Sequence, residues 1–405
     1  MGQLIAVAPV VIGDVAVFDL DRSLTGQDAS VFRDVPSGAT PPEILAQRLW
    51  ADDPEVTSVH VLSNTVTVAR NTGWPDDRLG ATAEIIANLF IHYDATPDED
   101  AHEELRQEYY NATITSIRVH NPELWVIRID PDEPVEPFAA GQYTTLGLGY
   151  WEPRADDAIE DFSDTPEKED KLARRSYSVS SSMLNDDGEL VDPNPPQVEF
   201  YIVKVPPHLE EIPALTPRIF KKTVGDRLYM GHKFTGRYTL DGVETGDSVV
   251  FLSTGTGEAP HNKMTAELLR NGHQGRILSV CCVRYRRDLA YEAQHAEVEA
   301  RFPTYRYVAL TTREPENEGQ KVYIQDYLVS GRLESDLEAT LDPARSHVFL
   351  CGNPLMIGLP TWDEGGNPQF PETLGVSQLL HDRGFTIDHG RERGNVHYEE
   401  FWKER

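Results

Sequence analysis

The rhythm of the sequence changes at Asp247, and that change limits the fold more than any other feature. From there strand-like and helix-like runs alternate: Ser248–Ser253, Pro260–Asn271, Arg276–Val283, Tyr291–Arg301, Tyr305–Thr311, Ile324–Ser330, His347–Cys351 and Gly375–Arg383. Strands that alternate with helices are joined by crossovers, so this part is expected to form a parallel sheet with right-handed connections. Upstream, from Asn111, the runs are short and β-branched, separated by Pro, Gly and Asp: Thr113–His120, Leu124–Ile129, Gln142–Leu148, Arg175–Ser181, Val198–Val205, Arg227–Met230 and Thr235–Leu240. That texture predicts an antiparallel barrel. Before it, strand-like Leu4–Ile12, Val15–Leu20, Val56–Leu62 and Thr65–Ala69 are interleaved with helical Pro42–Trp50 and Asp76–Tyr93. The expected fold class is therefore multidomain α+β and α/β. It comprises a small N-terminal α+β domain (1–105), an antiparallel β-barrel (106–243) and a parallel-sheet α/β domain (244–405).

The charge-dense segment Asp94–Glu108 reads as a linker or solvated helix between the first two domains. Residues 1–110 hold 6 arginines, no lysine and 19 acidic residues, and the whole chain carries a net charge of -30. Such acidity argues against nucleic acid and anionic membrane as partners. Solubility, or adaptation to a salty or crowded medium, is its plainer meaning. No run of about 18 apolar residues occurs, so no membrane span is expected. The apolar start lacks a basic n-region and reads as a strand rather than a signal peptide. The three cysteines, Cys281, Cys282 and Cys351, form no CxxC pair. That gives neither a disulfide framework nor an iron–sulfur ligand set. No metal site is expected, and the setting is expected to be reducing and cytoplasmic.

Five strings carry candidate chemistry. Arg175-Ser176-Tyr177-Ser178 lies on a barrel strand, where alternation separates Arg175 and Tyr177 from Ser176 and Ser178. A cation for a pyrophosphate, an aromatic plane for a ring and a hydroxyl for its redox-active edge are what a flavin needs. Ser253-Thr254-Gly255-Thr256-Gly257 ends a hydrophobic strand and opens a helix, as a pyrophosphate-binding turn does. Thr312-Arg313-Glu314 with Lys321-Val322-Tyr323-Ile324-Gln325 offers cations, a hydroxyl and an aromatic surface suited to an adenosine 2′-phosphate. Cys351-Gly352-Asn353-Pro354 ends a buried-looking strand at the ligand-binding edge of such a sheet. Near the C-terminus, Glu399-Glu400-Phe401-Trp402 holds two adjacent aromatics, which either pack on the core or cover a planar cofactor. Each string alone is compatible with an ordinary connection or surface patch; their order gives them weight.

In that order the strings resemble the ferredoxin–NADP reductase family over residues 112–405. The resemblance implies FAD as cofactor, NADP(H) as co-substrate, and ferredoxin or flavodoxin as partner. It places Arg175, Ser176, Tyr177, Ser178, Ile202, Val203, Lys204, Leu215, Thr216, Thr256, Phe401 and Trp402 at the FAD. It places Thr256, Gly257, Thr312, Arg313, Lys321, Tyr323, Gln325, Cys351, Gly352, Asn353 and Glu399 at the NADP, and makes Ser178, Cys351, Glu399 and Phe401 the reaction site. Three features depart from the family pattern. Glu258 and His261 intrude into the glycine turn, where a carboxylate near phosphate is repulsive unless it points away. Gly358–Pro371 looks inserted, and three residues follow Trp402. The family's basic carrier-docking patches reduce here to Lys168/Lys171/Arg174, Lys221/Lys222 and Arg284/Arg286/Arg287.

Residues 1–100 resemble the N-terminal domain of Nfu-type iron–sulfur scaffold proteins, through Val31-Phe32-Arg33-Asp34, Pro41–Trp50, Glu55–Val59, Asn64–Val68 and Trp74. That likeness implies a docking or regulatory module, with an iron–sulfur protein as its partner, that binds no cluster itself; a generic domain stabilising the barrel is the alternative. Two other functions stay open at this point. One is a reductase of the same superfamily serving an oxygenase, a quinone or free flavin. The other is an iron–sulfur assembly protein whose reductase part has become an interaction surface.

Overall fold

The computed structural model describes residues 5–25, 29–38, 40–89, 99–155, 170–185, 187–193, 195–205 and 213–401. The chain divides into two compact units, Met1–Ala101 and His102–Arg405.

The first unit is one antiparallel sheet with two helices. Its elements are β1 (Val7–Ile12), β2 (Val15–Leu20), β3 (Ala29–Phe32), α1 (Pro41–Asp52), β4 (Val56–Leu62), β5 (Thr65–Arg70) and α2 (Asp76–Ala87). The strand order is β1-β2-β5-β4-β3. α1 starts where Thr40 and Glu43 form a capping box just before two prolines, which need no amide partner there. Its Leu45 and Leu49 pack with Phe18, Val59, Val61, Val66, Val68 and Ile86 into one core. Arg70 donates from Nε to Asp53 at 2.6 Å, both side chains being buried. The edge strand β3 has no counterpart in the sequence reading: four residues give too little alternation to read.

α3 (Glu99–Tyr109) leads into the second unit. Its helical form decides between the linker and the solvated helix expected there, although residues 94–98 lie outside the described residues. Arg106 and Tyr110 both reach the Glu152 carboxylate, at 3.0 and 2.9 Å, and Lys222 joins them at 2.5 Å. Glu152 is therefore buried and ion-paired. Lys222 is lost to the expected docking patch for the same reason. Lys168 lies outside the described residues.

Six strands follow: β6 (Ala112–Asn121), β7 (Leu124–Pro131), β8 (Tyr143–Gly149), β9 (Leu172–Ser178), β10 (Val198–Val203) and, after the short helix α4 (Thr216–Ile219), β11 (Arg227–Met230). They pair in the order β10-β7-β6-β11-β8-β9. A bridge between Ser180, just past β9, and Glu199 of β10 joins the two edges and closes the barrel. Thr235–Leu240 is not a strand, contrary to its β-branched start. Only Thr235 bridges, to Tyr143, before the chain turns away.

The α/β half holds β12 (Ser248–Thr254), α5 (Glu258–Arg270), β13 (Ile277–Val283), α6 (Glu292–Arg301), β14 (Tyr305–Thr311), α7 (Ile324–Val329), α8 (Arg332–Leu337), β15 (Ser346–Gly352) and α9 (Pro354–Ile357). It continues with the hairpin β16 (Thr361–Trp362) and β17 (Pro368–Gln369), α10 (Val376–His381) and β18 (Val396–Glu400). The sheet is parallel, in the order β14-β13-β12-β15-β18. The residues expected to form a C-terminal tail are thus the fifth strand of this sheet. The supposed insertion Gly358–Pro371 contains the small hairpin. In an open sheet of this order the crossover from β12 runs outward to β13 and β14, and the chain then returns from β14 to β15 on the other side of β12. The crevice between the carboxyl ends of β12 and β15 is then the natural ligand site.

Candidate functional site

At two glycines of that crevice, Gly257 and Gly352, the backbone leaves no room for a side chain. The strand end Thr254 turns through Gly255, with φ +54°, and a 3-10 turn holding Thr256 and Gly257 opens α5. A Cβ on Gly257 would lie 2.3 Å from the Cys351 carbonyl, so glycine alone lets the two strand ends approach. Gly352, at φ +124°, faces Thr254 in the same way. The Asn353 amide donates to Thr254 Oγ1 at 2.7 Å, and the Asn353 side chain caps α9 through the Leu355 amide. Glu258 points away from the crevice. Its Oε1 is 2.7 Å from His295 Nε2 and accepts from the Tyr307 hydroxyl at 2.9 Å, with all of its side chain but 1% buried. The repulsion expected between this carboxylate and a phosphate is thereby removed.

The barrel strand β9 brings Ser178 to the same place. Its hydroxyl donates to Glu399 Oε2 at 2.6 Å, and Glu399 lies in register with Cys351 on the adjoining strand. Burial pushes the Glu399 carboxyl up to about 7, against the Ser178 hydrogen bond, which lowers it. The wholly buried Cys351 thiol is pushed well above its usual value, first by burial and then by the Glu399 charge, so it stays a neutral thiol. Phe401 follows directly, its amide 3.4 Å from the Gly352 carbonyl and its ring packed on the core of the α/β half. Ser178, Cys351, Gly352, Glu399 and Phe401 therefore converge, as do Thr256 and Gly257. Trp402 lies outside the described residues.

Tyr177 is half-buried, its ring edge-on to Phe200 at 6.5 Å, while Arg175 and Ser176 are exposed. Arg175 donates only to the neighbouring Arg174 carbonyl and has no acidic partner among the described residues. On β10 the Ile202 side chain belongs to the barrel core, while Val203 is exposed and Lys204 half-buried. Leu215 is likewise core, but Thr216 at the start of α4 carries a buried Oγ1 with no hydrogen-bond partner among the described residues. A buried hydroxyl without a partner is costly, and a phosphate oxygen is the partner a flavin dinucleotide brings.

The residues expected at an adenosine 2′-phosphate lie between β14 and α7. Arg313, Lys321 and Tyr323 are exposed, with no carboxylate on either cation among the described residues. Thr312 donates its hydroxyl to the Val283 carbonyl, which leaves it only acceptor capacity. Gln325 donates to the Leu355 and Leu374 carbonyls, both at 3.3 Å, and so ties α7 to the ends of the Gly358–Pro371 segment.

Residues 251–359 match the family model of the oxidoreductase NAD-binding domain. The FAD- and NADP-bound ferredoxin NADP+ reductase of Neisseria gonorrhoeae superposes with a TM-score of 0.53 at 21% identity, covering 72% of this chain and 99% of that one. Over the part it covers, this chain shares the fold of that reductase: an antiparallel barrel and a parallel-sheet nucleotide-binding half. In sequence, the flavodoxin/ferredoxin–NADP reductase of Escherichia coli (strain K12) is 29% identical over 229 residues, 55% of this chain and 77% of that protein. Ferredoxin–NADP reductase A of Sorangium cellulosum (strain So ce56) is 32% identical over 45% of this chain and 63% of its own length. Among the described residues no helix is long and apolar enough to cross a membrane.

Two features of the site had no signal in the sequence. The inward turn of Glu258 depends on His295 and Tyr307, which come from α6 and β14. Tyr291, just before α6, reaches across to the barrel and hydrogen-bonds Ser180 and Glu199.

Proposed function

We propose that this chain exchanges electrons between NADP(H) and a one-electron protein carrier, ferredoxin or flavodoxin, through bound FAD. The observation that carries the proposal is the Ser178–Glu399 hydrogen bond. It joins the barrel strand bearing Arg175 and Tyr177 to the sheet edge bearing Cys351 and the glycine turn.

FAD, when bound, supplies the conversion between two-electron hydride chemistry and one-electron transfer. Arg175 and Thr216 would hold its pyrophosphate. Among the described residues the Thr216 hydroxyl has no partner and the Arg175 guanidinium no carboxylate, which supports this. Tyr177 offers one ring face and Phe401 the other, with Phe401 required to move for nicotinamide to enter. Val203, Lys204 and the Ile202 and Leu215 backbone would line the remainder of the FAD; Trp402, outside the described residues, is assigned to the FAD by the resemblance alone. On the NADP side, Thr256 and Gly257 give amides at a helix start. Arg313, Lys321 and the acceptor side of Thr312 meet the 2′-phosphate, and Tyr323 stacks on adenine. Gln325 positions the segment that carries them. Near pH 7 Glu399 is poised to hold or release a proton, the Ser178 hydroxyl orients it, and Cys351 shapes an apolar wall with a neutral thiol. The chain's three thiols are buried and free, in keeping with a reducing, cytoplasmic setting.

The N-terminal unit is proposed to dock an iron–sulfur protein. Residues 1–105 contain no cysteine, so they offer no thiolate ligands of their own. The test of the whole proposal is NADPH-driven reduction of purified ferredoxins and flavodoxins by the full chain. Reduction of a carrier well above that of free flavin or quinone supports it. Activity on free flavin or quinone alone assigns the chain to the wider reductase superfamily, and no NADPH oxidation refutes the proposal.

A further inference from the structure

The Ser178–Glu399 contact is one of several places where β9 and its extension reach the α/β half; downstream, the Met183 amide also donates to Gln294 Oε1 of α6 at 2.8 Å. Two residues on, at Ser180, the chain makes a second and more elaborate connection. Tyr291 stands at the end of the β13–α6 loop, and its hydroxyl lies 2.9 Å from both Ser180 Oγ and Glu199 Oε1. Glu199 is on β10, the strand that closes the barrel against Ser180, and the Ser180 amide donates to the Glu199 carbonyl at 2.9 Å. Arg128 Nε and Ser182 Oγ complete the arrangement on Glu199 Oε2, at 3.0 and 2.9 Å.

Donor counting fixes the direction of every bond. A carboxylate only accepts, so the single Tyr291 proton goes to Glu199. Ser180 must then donate to the Tyr291 oxygen. Tyr291, Glu199 and Ser180 are 1%, 6% and 2% exposed, so water cannot replace any of these partners. The loop carrying Tyr291 is gripped by the barrel at several further points. The Tyr201 ring meets the Tyr291 ring edge-on at 5.2 Å and donates its hydroxyl to the Asp288 carbonyl. Arg118 donates to the Ala290 carbonyl at 2.8 Å and lies over the Tyr291 ring.

We infer that Tyr291, Glu199 and Ser180 form an interdomain clamp that sets the spacing between the flavin strand and the nucleotide sheet. They act as positioning residues, one step removed from the reacting atoms. The inference rests on the reading of this unit as a flavin–nucleotide reductase. Its geometric content is that the segment carrying Ser178 is held to the α/β half through Ser180 as well as through Glu399. With the second hold removed, Ser178 and Glu399 keep their chemistry but lose their registry. The binding surfaces for each dinucleotide are separate and remain intact.

The test uses the full FAD-loaded chain and two variants, Tyr291→Phe, which keeps the ring packing, and Ser180→Ala. Amide hydrogen exchange is followed over residues 172–185 and 284–301, together with stopped-flow reduction by NADPH. Both variants are expected to exchange faster in both segments. Each is expected to reduce about tenfold more slowly, the scale of a modest loss of reactant alignment. FAD content and NADP+ affinity should stay within about twofold, because the clamp touches neither site. The double variant should be no worse than either single one, since both remove the same link. Unchanged exchange over 172–185, a rate loss that tracks lost FAD or weakened NADP+ binding, or additive effects in the double variant would overturn the clamp. A wild-type chain that binds FAD yet ignores NADPH would instead remove the functional reading, and the exchange data would still judge the clamp.

Discussion

Replacing Glu399 by glutamine should stabilise the protein at high pH and leave it unchanged at low pH. In the folded chain the carboxyl is raised from 4.5 to about 7 by burial, against the weaker pull of the Ser178 hydroxyl. Its contribution to stability is therefore fully present below pH 4.5, where both folded and unfolded forms are protonated. That contribution is lost as pH rises through about 7, because the buried group must then carry a charge. The shift corresponds to about 3 kcal/mol at about 1.4 kcal/mol per unit. Glu399 is only half-buried by area, so solvent screening makes that figure a ceiling. For a unit of this size a change of 1 kcal/mol moves Tm by about 2 °C. The melting temperatures of wild type and Glu399→Gln, followed by circular dichroism at fixed ionic strength, should coincide near pH 4.5. They should separate by up to about 6 °C at pH 8.5, with the variant higher. Ser178→Ala removes the one interaction that lowers the carboxyl, so its pH-dependent loss of stability should begin at the same pH as in wild type but continue to a higher pH. A gap independent of pH, or one in which the variant falls behind as pH rises, would refute the assignment of Glu399 as a carboxyl kept neutral by burial.

Three further outcomes follow from the site. Arg313→Ala should weaken NADP+ by about 10- to 100-fold, the worth of a charged hydrogen-bonded contact, while NAD+ changes little; equal losses in a binding titration would remove the 2′-phosphate role. Thr216→Val should lower FAD affinity about tenfold without lowering Tm of the flavin-free protein, since the buried hydroxyl has no partner to lose among the described residues. Gly257→Ala puts a methyl 2.3 Å from the Cys351 carbonyl, so it should cost roughly 1–3 kcal/mol in chemical denaturation and weaken nucleotide binding as the strand ends part.

The alternation after Asp247 was legible because it is local. Hydrophobic runs such as Val249–Leu252 and Leu278–Val280 are wholly buried on both faces of a parallel sheet, and they read as strands at any position. The barrel strands were legible for the same reason, with β6 to β8 falling within a few residues of the expected runs. β18 was not legible. Beyond Val396 and His397 its residues are only half-buried, as at a sheet edge, and its polar Tyr398-Glu399-Glu400 reads as tail until β15 supplies a partner. The Thr235–Leu240 segment failed in the opposite direction: residues suited to a strand have only one bridging partner, so no ladder forms. At the site, the residue types at Ser178, Cys351 and Glu399 could be read, but not their meeting, which depends on β9 joining strands more than a hundred residues further along the chain. The orientation of Glu258 and the crossing of Tyr291 into the barrel lie in the same class, because buried polar groups are paired by tertiary structure alone.

The most direct measurement is an anaerobic titration of the purified full chain with NADPH, read at about 450 nm, where oxidised flavins absorb. The account predicts a yellow protein holding one FAD per chain, bleached by a single equivalent of NADPH and far more slowly by NADH. A colourless protein that does not retain added FAD, or a bound flavin indifferent to NADPH, would contradict it.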